Sequence, residues 1–204
     1  NLNIKSKKID NFFVLINQMN MLDNSGNITL IIGCMFSGKS TETIRLIRRY
    51  RNIKDKKILI INNAIDTRYG ESVISSHDKV QLQCISLENL NDIKDKEEYK
   101  NSDVIFIEEG QFFKDLFDFV TNAADIDNKK IIVTGLDGDY KRNMFGDICR
   151  LIPHAENITK LKALCSKCED GTFANFTKAK RATATCAKAK VAEAKIANAK
   201  FPKV

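Results

Sequence analysis

A glycine-containing loop that begins at residue 33 limits most strongly what this chain can fold into. Residues 33–40 read Gly-Cys-Met-Phe-Ser-Gly-Lys-Ser and match the phosphate-binding pattern G-x-x-x-x-G-K-[ST] at every fixed position. The apolar, β-branched residues 28–32 predict a buried strand before the loop, and residues 41–51 predict a helix after it. This order of strand, loop and helix is typical of α/β proteins that bind a nucleoside triphosphate.

The same loop predicts how a triphosphate is held. Backbone N–H groups in such a loop point at phosphate oxygens, and the N-terminus of the next helix adds positive partial charge. We expect Lys39 to reach the β- and γ-phosphates of ATP, and Ser40 to ligate Mg²⁺. The predicted ATP-binding residues of the loop are Gly33, Cys34, Met35, Phe36, Ser37, Gly38, Lys39 and Ser40.

Composition indicates a globular protein of the cytoplasm. Hydrophobic residues make up 43% of the 204 residues, which is ordinary for a folded core. No apolar run is long enough to cross a bilayer, and the N-terminal residues do not resemble a signal peptide. In that compartment the six cysteines do not predict a disulfide framework, and the close pair Cys165 and Cys168 is more typical of metal binding.

The net charge of +7 is located in the C-terminal tail. Residues 178–204 hold eight basic side chains and one acidic side chain, so the rest of the chain is neutral. A neutral body with a basic, Ala/Lys-rich tail argues against a dedicated nucleic-acid binder. We expect no membrane partner.

Further apolar runs predict more strands of the same sheet, at residues 57–61, 104–107 and 130–133. Because these runs are apolar along their whole length, we expect a parallel sheet covered by helices on both faces. Residues 62–80 predict a loop, 80–85 a short strand, 87–99 a surface helix and 112–124 a further helix.

Two acids, Glu108 and Glu109, follow directly after the apolar run 104–107. A protein with a phosphate-binding loop needs a carboxylate near its metal at the carboxyl end of such a strand. The two acids could divide the work, one near Mg²⁺ and the other as a base or water-orienting group.

Six segments occur in the order found in the type II thymidine kinases. They are residues 33–41, 66–69, 76–78, 108–113, 136–142 and 160–168. The chain therefore resembles this family of poxviral and cellular enzymes over residues 28–178. The resemblance implies transfer of the ATP γ-phosphate to the 5′-hydroxyl of thymidine, giving dTMP and ADP with Mg²⁺. It also implies a homotetramer and feedback inhibition by dTTP.

The resemblance gives roles to particular residues. Glu109 matches the proton acceptor for the 5′-hydroxyl, and Arg68 matches an arginine near the phosphates, where a guanidinium offsets charge on the transferring group. The other implied ATP-site residues outside the loop are Asp66, Thr67, Glu108, Gly110 and Gln111. The implied thymine pocket is lined by Met35, Phe112, Leu136, Tyr140 and Phe145.

The resemblance further implies a P-loop parallel sheet flanked by helices, with a small C-terminal zinc-binding or lasso subdomain. The expected division is an N-terminal extension (1–27), a kinase domain (28–160) and a zinc/lasso region with the basic tail (161–204). Cys165 and Cys168 match half of the family's structural zinc site, and Cys186 is a third candidate ligand.

The chain departs from the family pattern at four places. Cys34 stands at a position that is usually proline, and Glu108 replaces the usual aspartate. Ala189 occupies the expected place of the fourth zinc ligand, and the Gly-Gly-x-x-x-Tyr segment that closes over thymidine is missing before it. Two alternatives therefore stay open: an ATPase that acts on nucleic acid, and a nucleotide-binding relative without the lid.

Overall fold

The computed structural model describes residues 25–65, 73–75, 81–178 and 183–185, the second and fourth ranges through their backbone alone. Its main sheet has six strands: β1 (Asn27–Gly33), β2 (Ile58–Asn63), β5 (Ile85–Leu87), β6 (Val104–Ile107), β7 (Lys130–Gly135) and β8 (Asn157–Leu161). The strands lie in the order β5-β2-β6-β7-β1-β8, and every neighbouring pair is parallel. The predicted α/β fold with a parallel sheet is confirmed.

Helices cover the two faces of this sheet. The helix α1 (Lys39–Arg51) follows the glycine loop, and its buried Ile44 and Ile47 pack with Ile31, Ile60 and Phe106 on one face. The helix α3 (Leu116–Asp125) covers the opposite face through side chains such as Phe119 and Val120, in a larger core cluster. This two-sided burial explains why the strands read as continuous apolar runs.

The prediction of one surface helix over 87–99 was wrong. It contains a 3₁₀ turn at Leu90–Ile93 and the short helix α2 at Glu97–Lys100. Its apolar side chains are not spaced for one solvent-facing helix; Leu90, Ile93 and Tyr99 all turn into the core. The Tyr99 hydroxyl donates a 2.5 Å hydrogen bond to the Asp127 carboxylate, which satisfies the polar end of this buried ring.

The prediction of one strand over 80–85 was also wrong. Residues Gln81–Gln83 form β4, which pairs with β3 (Val73–Ser75) as a separate antiparallel hairpin. The chain then passes Cys84 and joins the main sheet as β5. The helix predicted over 112–124 begins four residues later than expected, because Gly110–Phe112 form a 3₁₀ turn.

The C-terminal region folds into small hairpins that sequence analysis did not predict. Strand β9 (Ala163–Leu164) pairs with β10 (Phe173–Ala174), and β11 (Phe176–Lys178) pairs with β12 (Thr183–Thr185), both antiparallel. A turn that contains Cys165 and Cys168 joins β9 to β10. Across the described ranges, the helices are all too short or too polar to cross a bilayer.

Candidate functional site

The carboxyl ends of β1, β6 and β7 meet at one edge of the sheet, because these strands are parallel and β7 lies between the other two. The glycine loop (residues 33–40) leaves β1 at this edge and leads into α1. A Cβ at Gly33 would lie 2.4 Å from the Leu161 carbonyl oxygen, so the close approach of β8 requires glycine there. Gly38 caps α1 with a φ of 86°, a conformation that glycine adopts without strain.

Lys39 points back into its own loop. Its ammonium donates a 2.9 Å hydrogen bond to the Cys34 carbonyl oxygen. Burial lowers the pKa of Lys39, and the nearby Glu109, Cys34, Glu108 and Asp137 act in the opposite direction. The acids from the ends of β6 and β7 therefore lie close enough to stabilise the charged lysine.

Two hydroxyl side chains near the loop differ in their bonding. Thr43 on α1 shares a 2.8 Å hydrogen bond with Thr134 on β7, which fixes the helix to the sheet inside the protein. The Ser37 hydroxyl oxygen is buried and has no hydrogen-bond partner within the part of the chain that the structure describes. A buried hydroxyl in that state is costly, so it is suited to bond a polar ligand at the loop.

Glu108 and Glu109 occupy the turn directly after β6. Glu108 is buried, with 4% of its surface exposed. Glu109 has the left-handed conformation (φ 53°, ψ 40°), which side-chain residues rarely adopt and which reverses the chain into the 3₁₀ turn. Strained backbone of this kind is often kept at functional sites.

Gln111 connects Glu109 to the neighbouring strand end. Its side-chain nitrogen donates a 2.5 Å hydrogen bond to the Glu109 carboxylate, and its side-chain oxygen accepts one of 2.9 Å from the Leu136 backbone N–H. Gln111 is itself buried, with 4% exposed. Two glycines make room for it: a Cβ at Gly135 would lie 2.3 Å from the Gln111 side-chain oxygen, and one at Gly146 would lie 2.2 Å from its carbonyl oxygen.

The residues predicted for the base pocket are only partly brought together. The rings of Phe112 and Phe145 meet edge to face with centroids 5.4 Å apart, and Leu136 is buried beside the Gln111 amide. Tyr140 is 55% exposed, at the tip of a turn closed by the Gly138–Met144 bridge. The Asp139 carboxylate holds this turn by accepting hydrogen bonds from the Lys141 and Asn143 N–H groups.

Met35 belongs to the same edge but is held by a residue that sequence analysis missed. Its backbone N–H donates a 2.9 Å hydrogen bond to the Thr177 hydroxyl on β11. The neighbouring Phe176 ring carries the Arg142 guanidinium 3.8 Å from its centroid. Strand β11 therefore contacts both the glycine loop and the turn after β7, and no pattern in the sequence indicated this.

Asp137 is a second missed residue. Its side chain is 15% exposed and forms a 2.6 Å ion pair with the Lys160 ammonium. The signal that could have found it is similar to the one that found Glu108 and Glu109, because Asp137 lies two residues after the end of the apolar strand β7.

Comparison with known proteins fits this arrangement of loop and acids. The family model described as thymidine kinase matches residues 26–196. The chain belongs to the thymidine kinase family. It is 40% identical over 158 residues to "Thymidine kinase" of rice, covering 76% of this chain and 58% of the rice protein. It is 46% identical over 157 residues to "Thymidine kinase" of sheeppox virus, covering 76% of this chain and 86% of the viral protein. "Thymidine kinase 1" of Dictyostelium discoideum is 43% identical over 148 residues, covering 71% of this chain and 63% of that protein.

The cysteine pair expected to bind zinc in this family lies against the glycine loop. Cys165 and Cys168 pack with Ala163, Ala174 and the loop residue Cys34 in a small apolar cluster. The Cys34 thiol also donates a 3.5 Å hydrogen bond to the Ala174 carbonyl. In the described ranges no three His, Cys, Asp or Glu side chains are grouped so that they could hold a metal ion.

Several predicted site residues lie outside the described residues. These are Asp66, Thr67 and Arg68 of the predicted phosphate-site loop, and Cys186 of the predicted zinc site. The same is true of most of the N-terminal extension and of the Ala/Lys-rich tail.

Proposed function

We propose that this member of the thymidine kinase family transfers the γ-phosphoryl group of ATP to the 5′-hydroxyl of thymidine, giving dTMP and ADP. The observation that carries the proposal is that the glycine loop with Lys39 and the turn with Glu108 and Glu109 leave the same edge of the parallel sheet, where both carboxylates favour the charged form of Lys39. The proposal assigns phosphate binding to Lys39 and the role of base to Glu109, because phosphoryl transfer requires the two groups at the same edge of the sheet.

The glycine loop is proposed to hold the ATP phosphates. Its backbone N–H groups, the buried Ser37 hydroxyl and Lys39 supply donors, and the N-terminus of α1 adds positive partial charge. In this role Lys39 exchanges its hydrogen bond with the Cys34 carbonyl for one with a phosphate oxygen. Mg²⁺ bound with ATP would neutralise phosphate charge, and the residues suited to hold it are Ser40 and Glu108.

Glu109 is proposed to accept the proton of the thymidine 5′-hydroxyl. Its backbone conformation and its hydrogen bond to Gln111 fix the direction of the carboxylate. The phosphoryl transition state is loose, so orientation of the hydroxyl matters more than the strength of the base. The proposed thymine pocket is formed by Met35, Phe112, Leu136, Tyr140 and Phe145, and the edge-to-face contact between the Phe112 and Phe145 rings supports an aromatic side for it.

The finer family properties are proposed as well. Cys165 and Cys168 fit half of a tetrahedral zinc site, because they lie on one tight turn with the Cys165 N–H bonded to the Thr172 carbonyl. Cys186 is the proposed third ligand, in a small C-terminal region (161–204) that follows the kinase domain (28–160). Assembly into a homotetramer and inhibition by dTTP complete the proposal.

The replacement Glu109→Gln tests the assignment. We expect thymidine phosphorylation to fall by a factor of about 10³ or more, within the range known for loss of a catalytic base with its charge, while ATP affinity stays within about threefold. The matched control is Glu98→Gln on the exposed surface of α2, which should retain wild-type turnover. Wild-type turnover in Glu109→Gln would overturn the role of Glu109. ATP binding by the unaltered protein without any phosphorylation of thymidine would overturn the proposed activity.

A further inference from the structure

The ion pair between Asp137 and Lys160 crosses the end of β1, where the glycine loop begins. Lys160 lies on β8 and pairs in register with Ile32, while on the other side of β1 the same Ile32 pairs with Gly135 of β7. Asp137 follows two residues after Gly135. The side chain of Lys160 therefore passes over the β1 end to reach the Asp137 carboxylate at 2.6 Å.

This position brings Asp137 under the electrostatic influence of the loop. The negative charge of Asp137 acts to raise the pKa of both Lys39 and Cys34. These are the two loop residues whose own hydrogen bond closes the loop. Asp137 is 15% exposed, so solvent screens its charge much less than it screens the 52% exposed Lys160. Its backbone carbonyl also accepts a 3.1 Å hydrogen bond from the Cys149 thiol, which limits movement of this turn.

The backbone of β8 approaches the loop at the same point. Gly33 pairs with Leu161, one residue after Lys160, and has no room for a side chain because of the Leu161 carbonyl. The start of the loop is thus held by β8 backbone on one side and by the Asp137–Lys160 pair across its end.

The charges at this edge explain why the pair should matter for ATP. Three carboxylates, from Glu108, Glu109 and Asp137, lie near the one loop lysine. A triphosphate brings further negative charge, and a poorly solvated carboxylate beside it is repulsive unless a cation compensates for it. Lys160 is the cation that contacts Asp137.

We propose that Asp137 and Lys160 form a positioning pair that neutralises charge at the start of the glycine loop and thereby sets the affinity of the protein for ATP. Lys160 acts through Asp137 and does not itself need to contact the phosphates. The inference rests on the proposed function only in taking ATP as the ligand of this loop.

A double-mutant cycle read by calorimetric ATP binding tests this inference without depending on turnover. Lys160→Met leaves the Asp137 charge uncompensated, and we expect ATP affinity to fall on the order of tenfold. Asp137→Asn removes the need for compensation, so the double variant Asp137→Asn/Lys160→Met should bind ATP within about threefold of the unaltered protein. Lys160→Arg keeps a positive charge beside Asp137, so it should bind ATP about as well as the unaltered protein.

The matched control is Lys162→Met, which removes an exposed lysine two residues further along. It should leave ATP affinity unchanged. The inference is overturned if Lys160→Met binds ATP as Lys162→Met does, or if the double variant shows the combined loss of both single variants. It is also overturned if thymidine affinity and melting temperature fall in step with ATP affinity, since the pair would then be only structural. If the unaltered protein binds ATP and fails to phosphorylate thymidine, the proposed activity fails while this cycle still decides the role of the pair.

Discussion

The carboxylate of Glu109 accepts a 2.5 Å hydrogen bond from the side-chain amide of Gln111, two residues further along the chain. The side-chain oxygen of Gln111 accepts a hydrogen bond from the backbone N–H of Leu136, directly after β7. Gln111 thus sets the position of Glu109, the proposed proton acceptor, relative to the end of β7, where Leu136 belongs to the proposed thymine pocket. A main-chain turn alone would not give this orientation, because a carboxylate can rotate about its side-chain bonds.

Gln111→Ala should lower kcat by about 10- to 100-fold with little change in KM for ATP, since a small displacement of a catalytic group has effects of this size. The Leu136 N–H would lose its buried acceptor, which should lower the free energy of unfolding by about 1–3 kcal/mol. Steady-state kinetics and urea denaturation measure the two effects. Gln83→Ala, on the exposed side of β4, should change neither; an unchanged kcat in Gln111→Ala would remove Gln111 from the site.

Gly135→Ala should destabilise the protein, because the new Cβ would lie 2.3 Å from the Gln111 side-chain oxygen and 2.9 Å from Ile148. Overpacking of this kind costs about 1–3 kcal/mol, and displacement of Gln111 should also reduce kcat. Gly138→Ala is the matched control, since its nearest neighbouring atom would lie at 3.4 Å and no clash follows. Thermal melting of the two variants compares them, and equal melting temperatures would contradict the close packing at Gly135.

ATP affinity should decrease as the pH rises through the alkaline range. Burial lowers the pKa of Lys39 below its usual 10.5, and phosphate binds the protonated form, so binding weakens once the lysine of the unbound protein loses its proton. By linkage, ATP binding in that range should take up protons, which calorimetry in buffers of different ionisation enthalpy detects. Lys39→Arg stays protonated, so its weaker binding should not change over the same pH range. An identical alkaline loss in Lys39→Arg would assign the effect to another group.

Native mass spectrometry should find one zinc ion per chain if the proposed C-terminal site is formed. Cys165→Ser removes a ligand from the tight turn, so zinc should be lost, and ATP affinity should decrease because this turn packs on Cys34. Cys84→Ser, at the break between β4 and β5, should keep its zinc. Full zinc occupancy in Cys165→Ser would exclude the thiol as a ligand.

Strands β1, β2, β6 and β7 could be predicted because each contains a continuous run of mainly apolar residues. Residues 104–107 were predicted with their observed limits, and the loop at Gly33 followed from its motif. Strand β8 could not be predicted this way, because Asn157 to Lys160 are exposed at the sheet edge and their composition is mixed. The role of Thr177 depends on its hydrogen bond with Met35, which lies 142 residues away in the chain. The role of Lys160 depends on a salt bridge between β8 and the turn after β7. Such contacts leave no local pattern in a single sequence.

Both neighbours of β1 are synthesised long after β1 itself. Its hydrogen-bonded partners are β7, more than 90 residues downstream, and β8, and directly before β8 the Glu156 carboxylate accepts the Ile28 N–H across 128 residues. A ribosome that has released the chain only as far as β6 therefore presents the complete glycine loop without either strand that fixes its start. Non-local parallel pairing of this kind is slow to form, so ATP can stabilise the nascent protein only after β8 has emerged. Until then, the exposed edges of β1 are open to mispairing and to chaperones.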